Sequence, residues 1–352
     1  MDKIIVDARF LTKERNGILR YSLSISLELQ KLFGDKVIFV SSNDIKYDDY
    51  KDMLSVEIIG THTGFLWEQW DLPRYLLKLG RPKLLSLFGI PPILYSNKYT
   101  TIHDITYIRF PKTFSKKFVW FYKTFIPLVI RTSKHIFTVS DFSKKEIISY
   151  YKVDPKKISV TWNAVDESFK LNNSCKRYDE LYILVLASGR NKNLKFVIDV
   201  FERLNQLYPD LKLILYGNVG TDVFRENNIK VDRNLIPKIS ILGKVSEKEL
   251  IDLYYNACFF LFPTKYEGFG IPVIEAQTCK CPVIASDAAS MPEVLAQSAI
   301  LVSNEDISFC VESAKKLIED EAFRSEIISK GIENVKRFSW ANSAKQIANV
   351  LL

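Results

Sequence analysis

Soft metal-ligand chemistry is scarce in this 352-residue chain, which has five cysteines, three histidines and no repeated Cys-x-x-Cys spacing. The cysteines (Cys175, Cys258, Cys279, Cys281 and Cys310) are odd in number and confined to the second half. That excludes a paired disulfide framework and predicts free thiols in a reducing compartment. Cys279 and Cys281 flank one lysine, and His62, His103 and His135 add too few ligands for a zinc site, so no metal is expected. Long apolar runs are missing too. None reaches the roughly 18 residues of a membrane span, and MDKIIVDARF breaks at Asp7 before it could form a signal-peptide core. The expectation is a soluble or peripheral cytoplasmic protein. No GxGxxG follows the first strand and no Gly-Lys-Ser/Thr loop occurs, so dinucleotide and P-loop readings lose their main support.

What is present is ordinary in amount and uneven in placement. Hydrophobic residues at 47% and charged residues at 26% are close to a globular average, which rules out a disordered or low-complexity chain. The net charge of +8 is carried by the first half: residues 1–170 hold 27 basic and 18 acidic side chains, leaving 22 and 23 for residues 171–352. A basic half beside a neutral half predicts one domain that faces something anionic. Length alone favours two domains.

Short apolar runs alternate with amphipathic segments, the pattern of a parallel sheet covered by helices. KIIVDA, the helical stretch Leu19 to Leu32, KVIFVSS, KYTTIHD, SKHIFTVSD and KISVTWNA form one series. ELYILVLAS, LKLILYGN, ISILGKV, CFFLFPT, PVIASD and SAILVS form a second, after the polar stretch LNNSCKRYDE at 171–180. The predicted fold is α/β, with two Rossmann-like doubly wound domains facing across a cleft: 1–170, 171–338, and a final helix at 339–352. That helix has no strand after it and is open to packing on either domain, with the N-terminal one taken as its place.

The most informative segment is PTKYEGFGIPVIEAQ, residues 263–277. Pro272 suits the first turn of a helix, so Glu267 belongs in the loop after CFFLFPT and Glu275 about one turn inside the helix. Gly268 and Gly270 let backbone amides approach a ligand at the helix N-terminus, where a phosphate is favoured. Two carboxylates beside such a site accept hydrogen bonds from sugar hydroxyls, a geometry suited to a nucleotide diphosphate sugar. The same spacing also fits a helix-start loop with one capping and one surface glutamate.

EGFGIPVIEA resembles the EX7E signature of the family 4 glycosyltransferases (glycosyl transferases group 1, GT-B fold), and the resemblance runs along nearly the whole chain. DAR with NGILRYS is similar to the family's first strand and glycine loop. TIHDITYIRFP, FTVSDFSKKEI, ISVTWNAVDESF, LASGRNKNLKFVIDVF, ILGKVSEKELIDLYYNACFFLFPT and CPVIASDAASMPEVLAQSAILV follow in the family's order, with KRFSW before the last helix. The resemblance implies a nucleotide-sugar donor on the C-terminal domain and an acceptor on the N-terminal domain. It gives Glu275 the donor's ribose, Glu267 the transferred sugar's hydroxyls, and the Gly268–Phe269–Gly270–Ile271 amides the sugar and diphosphate. A leaving diphosphate without a metal needs fixed positive charge, for which Arg190 and Lys192 in SGRNKN are the candidates. Here the turn is compressed relative to the family, and Lys192, followed by Asn193, is the better match. The resemblance sets His103 next to the sugar, with Asp104 beside it in sequence on the acceptor and diphosphate side. It sets Gly17, Asn16 and Arg20 on the acceptor and diphosphate side, and base selection near Gly243 and Lys244. Asn16 replaces a usual glycine and is expected to tolerate left-handed backbone. Ser140 and Asp141 read as a helix cap, and Ala164 replaces the glycine that usually follows the residue at Asn163. No Asp-x-Asp occurs, in keeping with the metal-independent, retaining transfer that the family implies.

Residues 111–131 interleave Lys112, Lys116, Lys117, Lys123 and Arg131 with Phe114, Phe118, Trp120, Phe121, Tyr122 and Phe125. This fits an interfacial helix on an anionic bilayer, or a helix in which Phe114, Phe118, Phe121 and Phe125, which follow helical period, are core and the lysines are the solvated face. The functional expectation is a retaining glycosyltransferase of O-antigen or capsule assembly at the inner face of the cytoplasmic membrane. Its partners would be a nucleotide sugar, with GDP-mannose as first guess, and a glycan acceptor on polyprenyl diphosphate. The alternatives are a non-catalytic nucleotide-sugar-binding protein and a sugar synthase or phosphorylase. Nucleic acid is not expected as a partner, since no helix-turn-helix, zinc or RNP-type signal is present.

Overall fold

Ile4–Asp7 and Phe259–Phe262 are buried at every position, and Tyr182–Leu186 at all but the last. Such runs do not alternate because a parallel strand with helices on both faces has no wet side. They are the central strands of two sheets in the computed structural model of the chain, which describes residues 3–14, 16–169, 180–220, 222–226 and 228–352. The chain divides into two compact units, Met1–Asn163 with Phe338–Leu352, and Ala164–Arg337. Of the expected linker 171–180, residues 171–179, Cys175 among them, lie outside the described residues.

The first unit holds β1 (Ile4–Asp7), β2 (Val37–Ser41), β3 (Glu57–Ile58), β4 (Lys83–Ser86), β5 (Lys98–Thr101), β6 (His135–Thr138) and β7 (Ile158–Val160). All pair in parallel, in the order β3-β2-β1-β4-β5-β6-β7. The second unit holds β8 (Tyr182–Leu186), β9 (Lys212–Tyr216), β10 (Ile239–Gly243), β11 (Phe259–Phe262), β12 (Val283–Ser286) and β13 (Ile300–Val302). These are also parallel, in the order β10-β9-β8-β11-β12-β13. Both units are therefore doubly wound, with the order reversing between β1 and β4 and between β8 and β11. At such a switch point the loops beyond the strand ends diverge and leave room for a ligand.

Two strands escaped the sequence reading. β3 is a two-residue exposed edge piece, and β4 sits in the continuous run KLLSLFGIPPILY, where no period separates strand from loop. The final helix, Trp340–Leu351, packs on Gly17–Phe33 within the first unit. The Trp340 ring lies 6.0 Å from that of Tyr21, and Ser343 Oγ donates to the Trp162 carbonyl at 2.6 Å. Lys83 Nζ also donates to the Leu351 carbonyl, closing the helix's last turn.

Candidate active site

The two loops at the switch point of the second sheet bring together the residues that the sequence singled out. The turn after β8 runs through Arg190–Lys192 to Asn193, whose φ of 54° is left-handed, tolerable for Asn, and opens the helix Leu194–Leu207. Lys192 Nζ donates to Glu267 Oε2, in the loop after β11, at 2.5 Å, and lies 4.3 Å from the centre of the Phe262 ring. The two loops are also joined by backbone. Lys265 N donates to Asn191 O at 2.8 Å and Asn191 Nδ2 to Tyr266 O at 2.8 Å. Asn193 Nδ2 meets Asn304 Oδ1 at 3.2 Å, and Asn304 Nδ2 donates to Thr264 O at 3.1 Å. Arg190 occupies this turn with its backbone, but its side chain lies outside the described residues.

Beyond Glu267 the chain passes Gly268 and Phe269 to Gly270, whose φ of 91° only glycine adopts readily. A Cβ there would stand 2.5 Å from Met291 Cε. Ser290 Oγ donates to Glu267 O at 3.0 Å and Phe269 O at 3.1 Å, fixing the loop against the segment after β12. Ile271 then begins the helix Ile271–Thr278, with Pro272 in its first turn and buried Glu275 one turn in. Pro272 carries no N–H and Val273 N already donates to Gly270 O at 3.1 Å, so what favours an anion at this end is the helix dipole together with the Ile271 amide. Behind Glu275, Tyr254 Oη sits 3.5 Å from Oε2 and 2.7 Å from Tyr216 Oη. Burial, with Tyr216 alongside, pushes the Tyr254 phenol well above its ordinary value, so it remains a donor. Gly243 ends β10 at φ 66° and its carbonyl accepts from Gly217 N at 2.8 Å, with exposed Lys244 next in the chain.

In the first unit the expected residues lie at the ends of β1 and β5. Asn16 corrects an expectation. Its φ is −156°, extended rather than left-handed, because its side chain caps the helix by accepting from Leu19 N at 2.9 Å. A cap residue needs β-region backbone, so capping replaces the left-handed role. Gly17 is the first residue of that helix and Arg20 lies one turn on. His103 Nε2 lies 3.1 Å from the Leu87 carbonyl, and the ring meets Tyr21 edge-on at 4.9 Å. Burial lowers its pKa to about 4, leaving the imidazole neutral. With Nε2–H assigned to the carbonyl, Nδ1 is the acceptor. Asp104 Oδ1 accepts from Thr106 N at 2.8 Å and Thr106 Oγ1 at 2.7 Å, and Ser140 caps Asp141–Tyr151 by accepting from Ser143 N at 2.9 Å.

The sequence did not single out a buried cluster at the end of β1. Arg9 Nη2 donates to Glu68 Oε1, and Arg9 N donates to Asp7 Oδ1 at 2.9 Å. Glu68 comes from Trp67–Asp71, a π-helical turn, the kind of irregularity that is frequent at functional sites. Burial outweighs the guanidinium and raises Asp7 to about 6 and Glu68 to about 8. Arg9 lies in DAR, but nothing near Glu68 in sequence marks it as its partner. In the helix Lys116–Thr132, Phe121 and Phe125 pack on Phe65 at 5.1 Å each, and Phe118 stacks on Phe114 at 4.9 Å. Trp120 is 64% exposed on a face shared with exposed Lys116, Lys117 and Lys123. Phe114, Phe118, Phe121 and Phe125 are thus half-buried and packed against the core of the first unit, whereas Trp120 is exposed.

Residues 168–334 match the family model described as glycosyl transferases group 1, and residues 15–169 match that of glycosyltransferase family 4. The chain belongs to this family: it is a glycosyltransferase of the GT-B fold. Among curated proteins it is similar to the O-antigen chain mannosyltransferase RfbU of Salmonella typhimurium, 29% identical over 361 residues and 99% of each chain. It is also similar to the O-antigen chain mannosyltransferase B of Escherichia coli, 28% identical over 267 residues, 71% of this chain and 68% of that one. Among solved structures it resembles Anabaena HepE in complex with UDP and glucose, with a TM-score of 0.74, 17% identity and coverage of 100% and 99%. Another is WaaG, a glycosyltransferase involved in lipopolysaccharide biosynthesis, with a TM-score of 0.71, 13% identity and 99% coverage of both chains. Among the described residues no helix is long and apolar enough to cross a membrane, and no group of three or more His, Cys, Asp or Glu could hold a metal ion.

Proposed function

We propose that this chain is a retaining mannosyltransferase that moves mannose from a nucleotide diphosphate donor, GDP-mannose, onto a lipid-linked glycan during O-antigen assembly. The similarity to RfbU and mannosyltransferase B, both O-antigen chain mannosyltransferases, supports the sugar and the product class. The HepE complexes with UDP and with UDP-glucose support a nucleotide sugar as donor class. The observation that carries the reading is the Lys192–Glu267 pair at the second sheet's switch point, with Glu275 one turn into the helix that follows.

In this reading Glu275 accepts from the ribose hydroxyls and Tyr254 fixes its carboxylate. The amides from Gly268 to Ile271 receive the diphosphate and sugar, and the Gly243–Lys244 turn borders the base. Lys192, with Arg190, stabilises the departing diphosphate, the task a metal performs in metal-dependent transferases. In the first unit His103 accepts from a sugar hydroxyl through Nδ1, and Gly17, Asn16 and Arg20 border the acceptor. Asp104 already caps Thr106. The bond from the anomeric carbon to the diphosphate oxygen breaks while the acceptor hydroxyl oxygen bonds that carbon on the same face. The hydroxyl proton passes to an oxygen of the leaving phosphate. The exposed Trp120 and its lysines are proposed to rest on the anionic inner face of the membrane, where a polyprenyl-linked acceptor would be found.

The test is transfer of labelled mannose from GDP-mannose to bacterial lipid extract, run beside UDP-glucose and UDP-N-acetylglucosamine. Transfer from GDP-mannose, lost in Glu267→Ala while that variant still unfolds cooperatively, is expected. Transfer from a UDP-sugar alone would reject the mannose assignment.

A further inference from the structure

Lys192 and Glu267 are asked for incompatible things. In the donor-site reading above, Lys192 must meet a phosphate oxygen and Glu267 must meet sugar hydroxyls. Here they meet each other, 2.5 Å apart. The Lys192 side chain is 9% exposed and the Glu267 side chain 24%. An ammonium withdrawn that far from water needs an anion on it, and the Phe262 ring face on its other side is only a weak substitute. The two partners are held differently. Lys192 follows Asn191, whose carbonyl and side chain are both bound to the loop after β11. Glu267 is tethered through its own carbonyl by Ser290, so its carboxylate can leave Lys192 while the loop stays in place. The more exposed partner is the anion.

We propose that Glu267 is an internal stand-in for the donor's phosphate. It sits on Lys192 in the donor-free enzyme and is displaced by the arriving diphosphate, which frees the carboxylate to receive the sugar. This rests on the donor-site reading given above. A nucleotide sugar replaces both lost contacts, giving a phosphate to Lys192 and hydroxyls to Glu267. A nucleoside diphosphate replaces only one, and the freed carboxylate then competes for Lys192. The pair thus discriminates donor from spent product and speeds product release after transfer.

The experiment is calorimetric titration of GDP and UDP into the wild-type chain, Glu267→Gln, Lys192→Met and the double variant. Removing the competing charge in Glu267→Gln is expected to tighten nucleoside diphosphate binding about fivefold, although the same variant loses transfer. In the Lys192→Met background the Glu267→Gln substitution is expected to change binding less than twofold. Glu267→Asp, one methylene shorter, keeps the charge but loses reach, and is expected to tighten binding in the same direction if the Gln variant fails to fold. Unchanged or weaker binding in the Glu267 variants overturns the proposal. A gain that survives in the Lys192→Met background also overturns it, since that would be plain repulsion between carboxylate and phosphate. If the wild-type chain binds neither GDP nor UDP, the donor-site reading fails, and this proposal with it.

Discussion

Replacing Lys192 with methionine separates what the side chain does for the fold from what it does for the reaction. Methionine keeps an unbranched stem against Phe262 and removes only the charge. The stability loss is then the ion pair with Glu267 and the cation–ring contact at 4.3 Å. Glu267 is 24% exposed, so its carboxylate regains water once released, and the pair is discounted toward surface values of about 1 kcal/mol. That corresponds to roughly 2–4 °C in melting temperature for a domain of this size. On the proposed donor-site reading the loss in rate is larger, because that reading uses the charge when the diphosphate departs. Removing one fixed donor of this kind costs about 2.7–4 kcal/mol, or roughly 100- to 1,000-fold in kcat. The assay is initial rate at saturating donor beside thermal unfolding of the same preparation. A variant that keeps more than a tenth of wild-type kcat, or that melts more than about 10 °C lower, refutes the assignment. The first outcome would show that the charge is not used, the second that it is structural.

Other consequences follow from neighbouring residues. Gly270→Ala is expected to cost about 2–4 kcal/mol in urea unfolding, combining a φ of 91° with a Cβ 2.5 Å from buried Met291; a change under about 0.5 kcal/mol contradicts this. His103 is held neutral in the fold with its pKa lowered to about 4, against about 6.5 unfolded. As pH falls from about 6.5 toward 4 the unfolded chain takes up the proton first, so stability declines across that window. The decline is expected to be shallower in His103→Asn, and equal slopes in both proteins would exclude the effect. Sedimentation with anionic vesicles should be reversed by salt and weakened by Trp120→Ala together with Lys117→Ser. Equal binding to neutral vesicles at every ionic strength would remove the membrane face from the account.

How much of this was legible in sequence depended on whether the signal was local. β8 and β11 were readable because burial on both faces leaves an unbroken apolar run. The loop–helix position of Glu267, Pro272 and Glu275 was readable because proline and glycine punctuate it. β4 was lost inside an apolar run without period, and β3 is too short to carry one. Asn16 was assigned the wrong backbone because its replacement of a glycine suggested left-handed geometry, whereas the adjacent helix start required a cap. In 111–131 the helical period marked Phe114, Phe118, Phe121 and Phe125 as the inward face, where they are half-buried against the core, and Trp120 falls outside that period. The Arg9–Glu68 contact joins residues 59 positions apart through tertiary packing alone, so no sequence window contained it.

The central claim, a retaining transfer of mannose from a nucleotide sugar by this site, is tested most directly by the configuration of the new bond. NMR of the glycan made from GDP-α-mannose should show an α-mannosyl linkage, formed by the wild-type chain and absent with Glu267→Ala. A β-linkage, or no transfer from GDP-mannose under conditions where the chain binds GDP, would contradict it.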